Sequence, residues 1–392
     1  MNAGANVTSG TAGVTFGTTT LTAGPAVFNT AAGTNLTLGA VGGAFALTKQ
    51  GAGQMTLATT STRVTAAGST TVSAGTLRLN TANALNTLAT APLSLNGGTL
   101  SLGVTAGATY GGTATTVGGA ATVESDLLVA GAGVTQTLGT LSIGAQTLSI
   151  AKGANVTSGT AGVTFGATTL TGNATFAPAT STLLTLGALG DGGVTARTIT
   201  KSGAGTLTVA TAATSLINGT QVNISAGTLN SNQATALGAL ATVDVADGAT
   251  FGVGASQTIG ALSNTTTVSN TGSVVEGAVT LTVGSATNNL TSSFSGVISG
   301  ASGALTKAGS GTLTLSGTNT YGGTTTLSAG TLVAANTQAL GVSTAPLSLG
   351  GGTLDLATDS SSTAYNTTVT ASSTIVSDRA TSGTGITQTL GR

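Results

Sequence analysis

The chain has 392 residues with nine basic and nine acidic side chains, and this balanced charge gives no reason to expect nucleic acid or anionic lipid as a partner. It contains neither His nor Cys, which excludes a Ser/His/Asp triad, a His-bearing zinc centre, a thiolate metal site and disulfides. Gly is abundant, aromatic residues are rare, and Leu and Val alternate with Thr and Ser, a pattern that favours thin β-layers over disorder or helix.

In chain order, the first recognisable element is a segment that occurs twice. Residues 4–22 and 153–171 match at 18 of 19 positions, with an offset of 149 residues. The difference between the copies is Thr18 in the first and Ala167 in the second. This similarity indicates a duplication and therefore a repetitive fold.

A second element occurs three times and begins with a lysine. Lys49, Lys201 and Lys307 each precede a Gly-x-Gly and a predicted strand, and each is followed, 24, 24 and 21 residues later, by Ser-Ala-Gly-Thr. The glycines of that second motif are Gly75, Gly227 and Gly330. We predict that these six residues are recurrent structural positions, with the lysines exposed near the turns, where a solvated charge protects a strand edge. The markers divide 1–392 into three degenerate cassettes, approximately 1–150, 151–265 and 266–392.

The strands between these markers are short and alternate apolar with polar residues, and Gly-rich turns separate them. Hairpin sheets would use the same alternation, but near-identical units at long range are typical of a parallel β-solenoid, in which equal residues stack on successive coils. At about 20–25 residues per coil, the chain would form about 16–20 coils. We therefore predict an all-β fold, a single elongated β-solenoid.

Residues 305–332, together with the preceding 292–307, resemble the autotransporter-associated β-strand repeat of large exported bacterial proteins. Lys-x-Gly-x-Gly-x-Leu-Thr and Ser-Ala-Gly-Thr-Leu carry the resemblance. The copies that begin at Leu47 and Ile199 lack the Asn-Thr-Tyr-Gly-Gly turn at 319–323.

This resemblance implies a right-handed parallel β-helix outside the cell, tethered in the full-length protein to an outer-membrane β-barrel. Neither that barrel nor a signal peptide is apparent within 1–392, so a fragment is expected. Without charged caps, we expect the fragment to associate end to end, or to fray at the markers 4–7 and 388–391.

Three carboxylate pairs are the candidates for catalysis: Glu124 with Asp126, Asp244 with Asp247, and Asp355 with Asp359. Paired carboxylates serve polysaccharide cleavage only in a cleft with further polar groups, which the sequence does not display. We therefore predict no catalytic residue, no cofactor and no metal. The Gly-x-Gly at Gly51, Gly203 and Gly309 is not followed by a predicted helix, so it does not indicate a phosphate site.

Three functions remain open at this point. The favoured one is a non-enzymatic structural or adhesive rod at the bacterial cell surface, whose host-cell, neighbouring-cell or polysaccharide partner is unknown. The second is a carbohydrate- or ice-binding solenoid, which would need a flat, regular Thr ladder. The third is a β-helix hydrolase or lyase, which would need carboxylates that converge in a cleft.

Overall fold

The computed structural model describes residues 1–2, 10–63, 68–85, 92–110, 114–212, 216, 219–265, 269–287 and 289–391. The predicted marker at 4–7 therefore lies outside the described residues. The chain divides into two compact units: unit 1 comprises 1–187 with 203–207, and unit 2 comprises 188–202 with 208–392. The three cassettes are a division of the sequence, and they stay a prediction.

Unit 1 is built of short strands that alternate inward and outward side chains. In chain order these are β1 (Ala12–Phe16), β2 (Thr19–Leu21), β3 (Ala26–Asn29), β4 (Thr34–Leu38), β5 (Val41–Gly43), β6 (Leu47–Gln50), β7 (Gln54–Leu57), β8 (Thr62–Arg63), β9 (Thr70–Val72), β10 (Thr76–Leu79), β11 (Leu93–Leu95), β12 (Thr99–Val104), β13 (Thr115–Val117), β14 (Ala121–Leu127), β15 (Gly131–Ala132), β16 (Thr135–Thr137), β17 (Leu141–Ile143), β18 (Thr147–Lys152), β19 (Val156–Ser158), β20 (Ala161–Phe165), β21 (Thr168–Leu170), β22 (Ala174–Pro178) and β23 (Thr182–Leu186).

These strands stack as parallel ladders. One sheet of unit 1 has the order β1-β4-β7-β10-β12-β14-β18-β22, and a second has the order β3-β6-β9-β11-β13-β17-β21. Smaller sheets are β2-β5-β8 and β15-β19, and β16-β20-β23 are the strands of unit 1 in a further, eight-stranded sheet. Because each strand pairs with the strand one coil away, like residues stack on like residues.

Unit 2 repeats this architecture. Its strands are β24 (Leu189–Gly190), β25 (Thr198–Lys201), β27 (Gln221–Ile224), β28 (Thr228–Ser231), β29 (Thr242–Val245), β30 (Thr250–Val253), β31 (Gln257–Ile259), β32 (Ala261–Ser263), β33 (Ser273–Glu276), β34 (Thr280–Val283), β35 (Ser292–Phe294), β36 (Val297–Ser299), β37 (Ala304–Lys307), β38 (Thr312–Leu315), β39 (Thr325–Leu327), β40 (Thr331–Ala334), β41 (Leu347–Leu349), β42 (Thr353–Ala357), β43 (Thr367–Val369) and β44 (Thr374–Asp378). The remaining strand, β26 (Thr206–Val209), has residues in both units.

Within unit 2 the strand orders are β25-β27-β29-β32, β28-β30-β33-β36, β31-β34-β37-β39-β41-β43 and β35-β38-β40-β42-β44. The described residues form about 16 solenoid turns in all. The prediction of an all-β parallel β-solenoid is confirmed. Its right-handed twist stays a prediction.

The core of each unit is a stack of aliphatic rows. In unit 1, one row runs in register through the buried residues Leu36, Met55, Leu77, Leu100 and Val123. Full burial of one such side chain stabilises the fold by about 1.5–3 kcal/mol. The row therefore supplies the cohesion that disulfides or large aromatic clusters supply in other small-core proteins.

No helix among the described residues is long and apolar enough to cross a membrane.

Candidate functional site

The recurrent lysines lie inside the solenoid, at the end of a strand. Lys49 follows Leu47 by two residues on β6, and in a strand this spacing puts both side chains on one face. Lys201 stands in the same place on β25, and Lys307 on β37. Their side chains are 0%, 0% and 2% exposed. The prediction that they are exposed near the turns is therefore wrong.

Each buried ammonium group is bonded to backbone carbonyls. Lys49 Nζ donates to Gln50 O at 2.8 Å, to Gly51 O at 2.7 Å and to Ala74 O at 3.0 Å, so all three of its N–H donors have an acceptor. These bonds compensate for part of the free energy lost when the charge leaves water.

The other two lysines repeat this pattern. Lys201 Nζ donates to Ser202 O at 2.9 Å and Ala226 O at 2.8 Å. Lys307 Nζ donates to Ala308 O at 2.5 Å, Gly309 O at 2.9 Å and Ala329 O at 3.4 Å. The Gly-x-Gly and Ser-Ala-Gly-Thr motifs thus belong to one structure, which we call the lysine corner: a Lys, the carbonyls after it, and the Ser-Ala-Gly-Thr turn of the next coil.

The lysine corner requires glycine in its Ser-Ala-Gly-Thr turn. Gly75 has φ +63° and Gly330 has φ +72°, in the left-handed region. A Cβ at Gly330 would lie 2.3 Å from Gly309 O and 2.9 Å from Lys307 Nζ, and at Gly75 the matching distances to Gly51 O and Lys49 Nζ are 2.3 and 2.8 Å. Gly227, at φ +65°, holds the same place in the middle copy.

Burial lowers the pKa of Lys49 and of Lys201 to about 8 each, and it lowers the pKa of Lys307 as well. Lys49 and Lys201 are therefore mostly protonated at neutral pH, and the ammonium form has three donors for the carbonyls. Because the side chains are buried and directed at backbone, the lysine corner does not present a nucleophile to a substrate.

The pair Glu124 and Asp126 takes part in a structural network of unit 1. Asp126 forms a salt bridge with Arg78 and accepts a hydrogen bond from Asn155 N at 2.9 Å. Glu124 Oε1 accepts from Ser101 Oγ at 2.8 Å, and Ser101 Oγ also accepts from Arg78. The carboxylates are therefore tied to neighbouring coils through Arg78 and Ser101.

The carboxylates of the second pair, Asp244 and Asp247, accept hydrogen bonds from backbone and hydroxyl groups nearby. Asp244 accepts from the amide and the hydroxyl of Thr265, at 2.9 and 2.5 Å. Asp247 accepts from Ser269 N and Thr271 N at 2.7 and 2.8 Å, which is ordinary turn chemistry.

Asp355 and Asp359 face different neighbours. Burial, and secondarily the charge of Asp378, raises the pKa of Asp355. The Thr381 hydroxyl and amide, followed by Arg379, lower the pKa of Asp359, whose carboxylate lies 3.1 Å from Arg379 Nε. Asp355 and Asp359 therefore do not act as a pair, and the carboxylate that influences Asp355 is Asp378, on the paired strand β44.

Sequence reasoning missed a set of buried polar side chains. Tyr110, Tyr321 and Tyr365 are inside the solenoid, where Tyr321 hydroxyl is 2.6 Å from Thr325 Oγ1 and Tyr365 hydroxyl donates to Gly341 O at 3.2 Å. The sequence does contain a signal for these buried tyrosines, because each lies shortly before a predicted strand and two of them, Tyr110 and Tyr321, begin the same sequence, Tyr-Gly-Gly-Thr.

Glu276 is a further buried polar side chain that the sequence analysis did not predict. It is buried at the end of β33, in register with Val253, and neither carboxylate oxygen has a hydrogen-bond partner among the described residues. Burial raises its pKa to about 8, so the side chain is mostly protonated at neutral pH. The alternation Val274–Glu276 placed it inward, but its charge argued for an outward position.

Outside the core, a single file of hydroxyl side chains runs along one sheet of each unit. The hydroxyl row of unit 2 consists, in register, of Thr258, Thr282, Thr306, Thr326, Ser348 and Thr368. The hydroxyl row of unit 1 consists of Thr48, Thr71, Ser94, Thr116, Ser142 and Thr169. In both rows the residues two places before and after are uncharged. Stacking of the coils thus aligns residues that are unevenly spaced along the chain.

Comparison with known proteins identifies the segments that carry the lysine corners. The passenger-associated-transport-repeat matches residues 47–79, 199–230 and 305–334. No curated protein and no solved structure matches the chain. The three repeats begin at Leu47, Ile199 and Leu305, which are the starts of the three Lys-containing elements. The chain is thus a parallel β-solenoid that carries three passenger-associated-transport-repeats, which matches an autotransporter passenger with such repeats.

Proposed function

We propose that this chain is a non-catalytic, extracellular stretch of stalk in a large bacterial surface or secreted protein, and that it adheres through broad outer surfaces. In the full-length protein, an outer-membrane β-barrel would tether the stalk. The single observation that carries the proposal is the threefold lysine corner, which lies in each segment that matches the transport repeat. A buried cation that holds two coils together is a building element of a rod and not a reaction centre.

The carboxylates support the non-catalytic part of the proposal. Asp126 is bound to Arg78, Asp244 to Thr265, and Asp359 to Arg379 and Thr381. A glycosidase would need two carboxylates on either side of one sugar-binding cleft, with one of them free to donate a proton.

The location is tested by antibodies against the chain, applied to intact and to permeabilised cells that produce the protein. We expect labelling of intact cells, and its loss when external protease is added first. Labelling that needs permeabilisation would contradict an extracellular stalk.

The absence of catalysis is tested by incubation of the purified chain with polysaccharides and with ester substrates. We expect no turnover. Reproducible cleavage that Asp244→Asn or Glu124→Gln abolishes would show that the chain is an enzyme.

A second candidate is binding to a flat, regular surface such as ice or a crystalline polysaccharide, and the hydroxyl rows favour it. Their hydroxyls repeat at the strand spacing of about 4.8 Å. The matching test is inhibition of ice recrystallisation and retention on insoluble polysaccharide. Thr306→Lys would interrupt the hydroxyl row of unit 2. The control is Thr20→Lys, because Thr20 is exposed on β2 and is paired there with Gly42. Equal behaviour of the two variants, or no retention by the unmodified chain, would eliminate this candidate.

A further inference from the structure

A continuous polar groove crosses the outer face of unit 2. We define this polar groove by Gln221, Asn223, Thr242, Asp244, Ser263 and Thr265. It consists of two adjoining hollows of about 400 and 510 Å³, and both are lined by Thr242, Ser263 and Thr265. Hollows of this volume accommodate small organic ligands.

The floor of the polar groove follows from the register of three strands. Asn223, Asp244 and Ser263 are aligned on β27, β29 and β32, while the alternate residues Val222 and Val243 point into the core. A row of amide, carboxylate and hydroxyl groups therefore crosses the sheet at the strand spacing of about 4.8 Å.

The second hollow lies where the sheet is interrupted. In the described part of the chain, β32 ends one sheet and β35 begins another. Side-chain bonds connect the two edges, because Asn264 Nδ2 donates to Ser295 Oγ at 2.7 Å and Asn264 Oδ1 accepts from Ser295 N at 3.0 Å. Ser263, at the end of β32, lines both hollows beside this interruption.

Two serine hydroxyls that line the hollows have no partner among the described side chains and backbone groups. Ser263 is only 8% exposed, lines both hollows, and makes no side-chain hydrogen bond to any residue that the structure describes. Ser292, at 9% exposed, is in the same situation in the second hollow. Because both residues line the hollows, their hydroxyls are available to polar atoms of a bound molecule.

The lining also defines the charge of that molecule. The polar side chains that line the polar groove carry hydroxyls, amides and one carboxylate, that of Asp244, and no Lys or Arg is among the lining residues. The apolar lining residues are Ile224, Ala246, Ala261 and Leu290. Thr265 holds the Asp244 carboxylate in place through its amide and hydroxyl. A carboxylate without a nearby cation repels phosphate, sulfate and uronate groups, whereas it accepts hydrogen bonds from neutral hydroxyls.

We propose that the polar groove binds a neutral glycan chain. Sugar hydroxyls would donate to Asp244 and exchange hydrogen bonds with Asn223, Gln221 and the Ser263 hydroxyl, while the C–H face of a ring rests on threonine methyl groups. The inference goes beyond the stalk function, since a stalk needs no ligand. Failure of glycan binding would leave the stalk proposal intact, because the latter is tested on cells.

The experiment uses the full purified chain, labelled and applied to an array of neutral and anionic oligosaccharides, with affinities then measured by calorimetry. We expect binding to neutral oligosaccharides that changes little with salt, since no charge pair forms. Asn223→Ala should weaken binding about tenfold, as expected for the loss of one well-formed hydrogen bond. Ser263→Val, which fills the point shared by the two hollows, should abolish binding.

Asn230→Ala is the matched control, because Asn230 lies half-buried on β28 in the same unit but outside the polar groove. It should bind like the unmodified chain, and thermal unfolding checks that each variant is folded. The proposal is overturned if no neutral oligosaccharide binds, if Asn223→Ala and Asn230→Ala bind equally, if anionic oligosaccharides bind better, or if an extended peptide is the ligand that competes.

Discussion

Replacement of Lys49 by Met tests whether the lysine corner stabilises the fold. Met is close to the Lys stem in length and apolarity but has no donor. The change removes three hydrogen bonds of 2.7–3.0 Å, to Gln50 O, Gly51 O and Ala74 O. Hydrogen bonds to a charged group contribute about 1.5–3 kcal/mol each to stability.

The opposing effect is relief of the buried charge, which costs several kcal/mol per ion. Three lost bonds outweigh that relief, because the variant also leaves carbonyl groups in a buried turn without their ammonium partner. We expect a loss of roughly 2–4 kcal/mol in the free energy of opening the coils around Lys49.

Native-state hydrogen exchange is the suitable assay, since a solenoid opens coil by coil and a single global transition is not assured. Amides of β7 and β10, on either side of the corner, should exchange faster, while unit 2 is unaffected. Lys152→Met is the control, because Lys152 is exposed. Unchanged or increased protection of the β7 and β10 amides in Lys49→Met would refute the reasoning. It would mean that a buried apolar side chain stabilises these coils as well as the hydrogen-bonded ammonium group does.

Three further predictions follow from other parts of the molecule. The pKa of Glu276 is about 8 in the folded chain against 4.5 for a free Glu, so the folded state binds the extra proton and the free energy of unfolding should fall as pH rises from about 4.5 to 8. Urea unfolding of Glu276→Gln should lack this decline, and an identical pH profile would contradict the burial of a protonated carboxyl. Gly330→Ala should destabilise its coil by about 2 kcal/mol or more, because the backbone there is left-handed and the new Cβ would contact Gly309 O. Gly248 has a similar φ but open space around it, so Gly248→Ala should cost only about 1–2 kcal/mol; thermal unfolding measures both. Finally, β1 and β44 carry exposed apolar side chains, among them Phe16 and Ile375, so sedimentation velocity should reveal association that grows with concentration. A monomer at all concentrations, with the amides of β1 and β44 fully protected from hydrogen exchange, would disprove this association.

The alternation of side chains predicted the strands and the apolar rows, and the near-identical units at long range predicted the parallel stacking. The same alternation also placed Lys49 on the face of Leu47, and Glu276 on the face of Val274. The prediction of exposed lysines was wrong because it considered the free-energy cost of burying an ammonium group. It did not consider the backbone carbonyls that accept hydrogen bonds from that group. Those carbonyls belong partly to the next coil, 25 residues away for Ala74, and only the folded chain brings them to Nζ.

The polar groove was not predictable for a related reason. Asn223, Asp244 and Ser263 are spaced about twenty residues apart, and nothing in the sequence marks the interruption between β32 and β35. Asp244 was noticed as one of a carboxylate pair, but its partner in the fold is Thr265 and not Asp247. Register between coils decides which polar groups become neighbours.

The duplicated segments separate what the sequence by itself determines from what the tertiary structure decides. In the two copies the strands have corresponding bounds, Ala12–Phe16 with Ala161–Phe165 and Thr19–Leu21 with Thr168–Leu170, so local sequence determines where strands begin and end. The environments differ: Phe16 is 54% exposed, and its counterpart Phe165 is 1% exposed. The physical reason is that β20 lies between two paired strands, β16 and β23, whereas among the described strands β1 is paired with β4 only. The burial of a solenoid residue depends on the coils stacked on both sides.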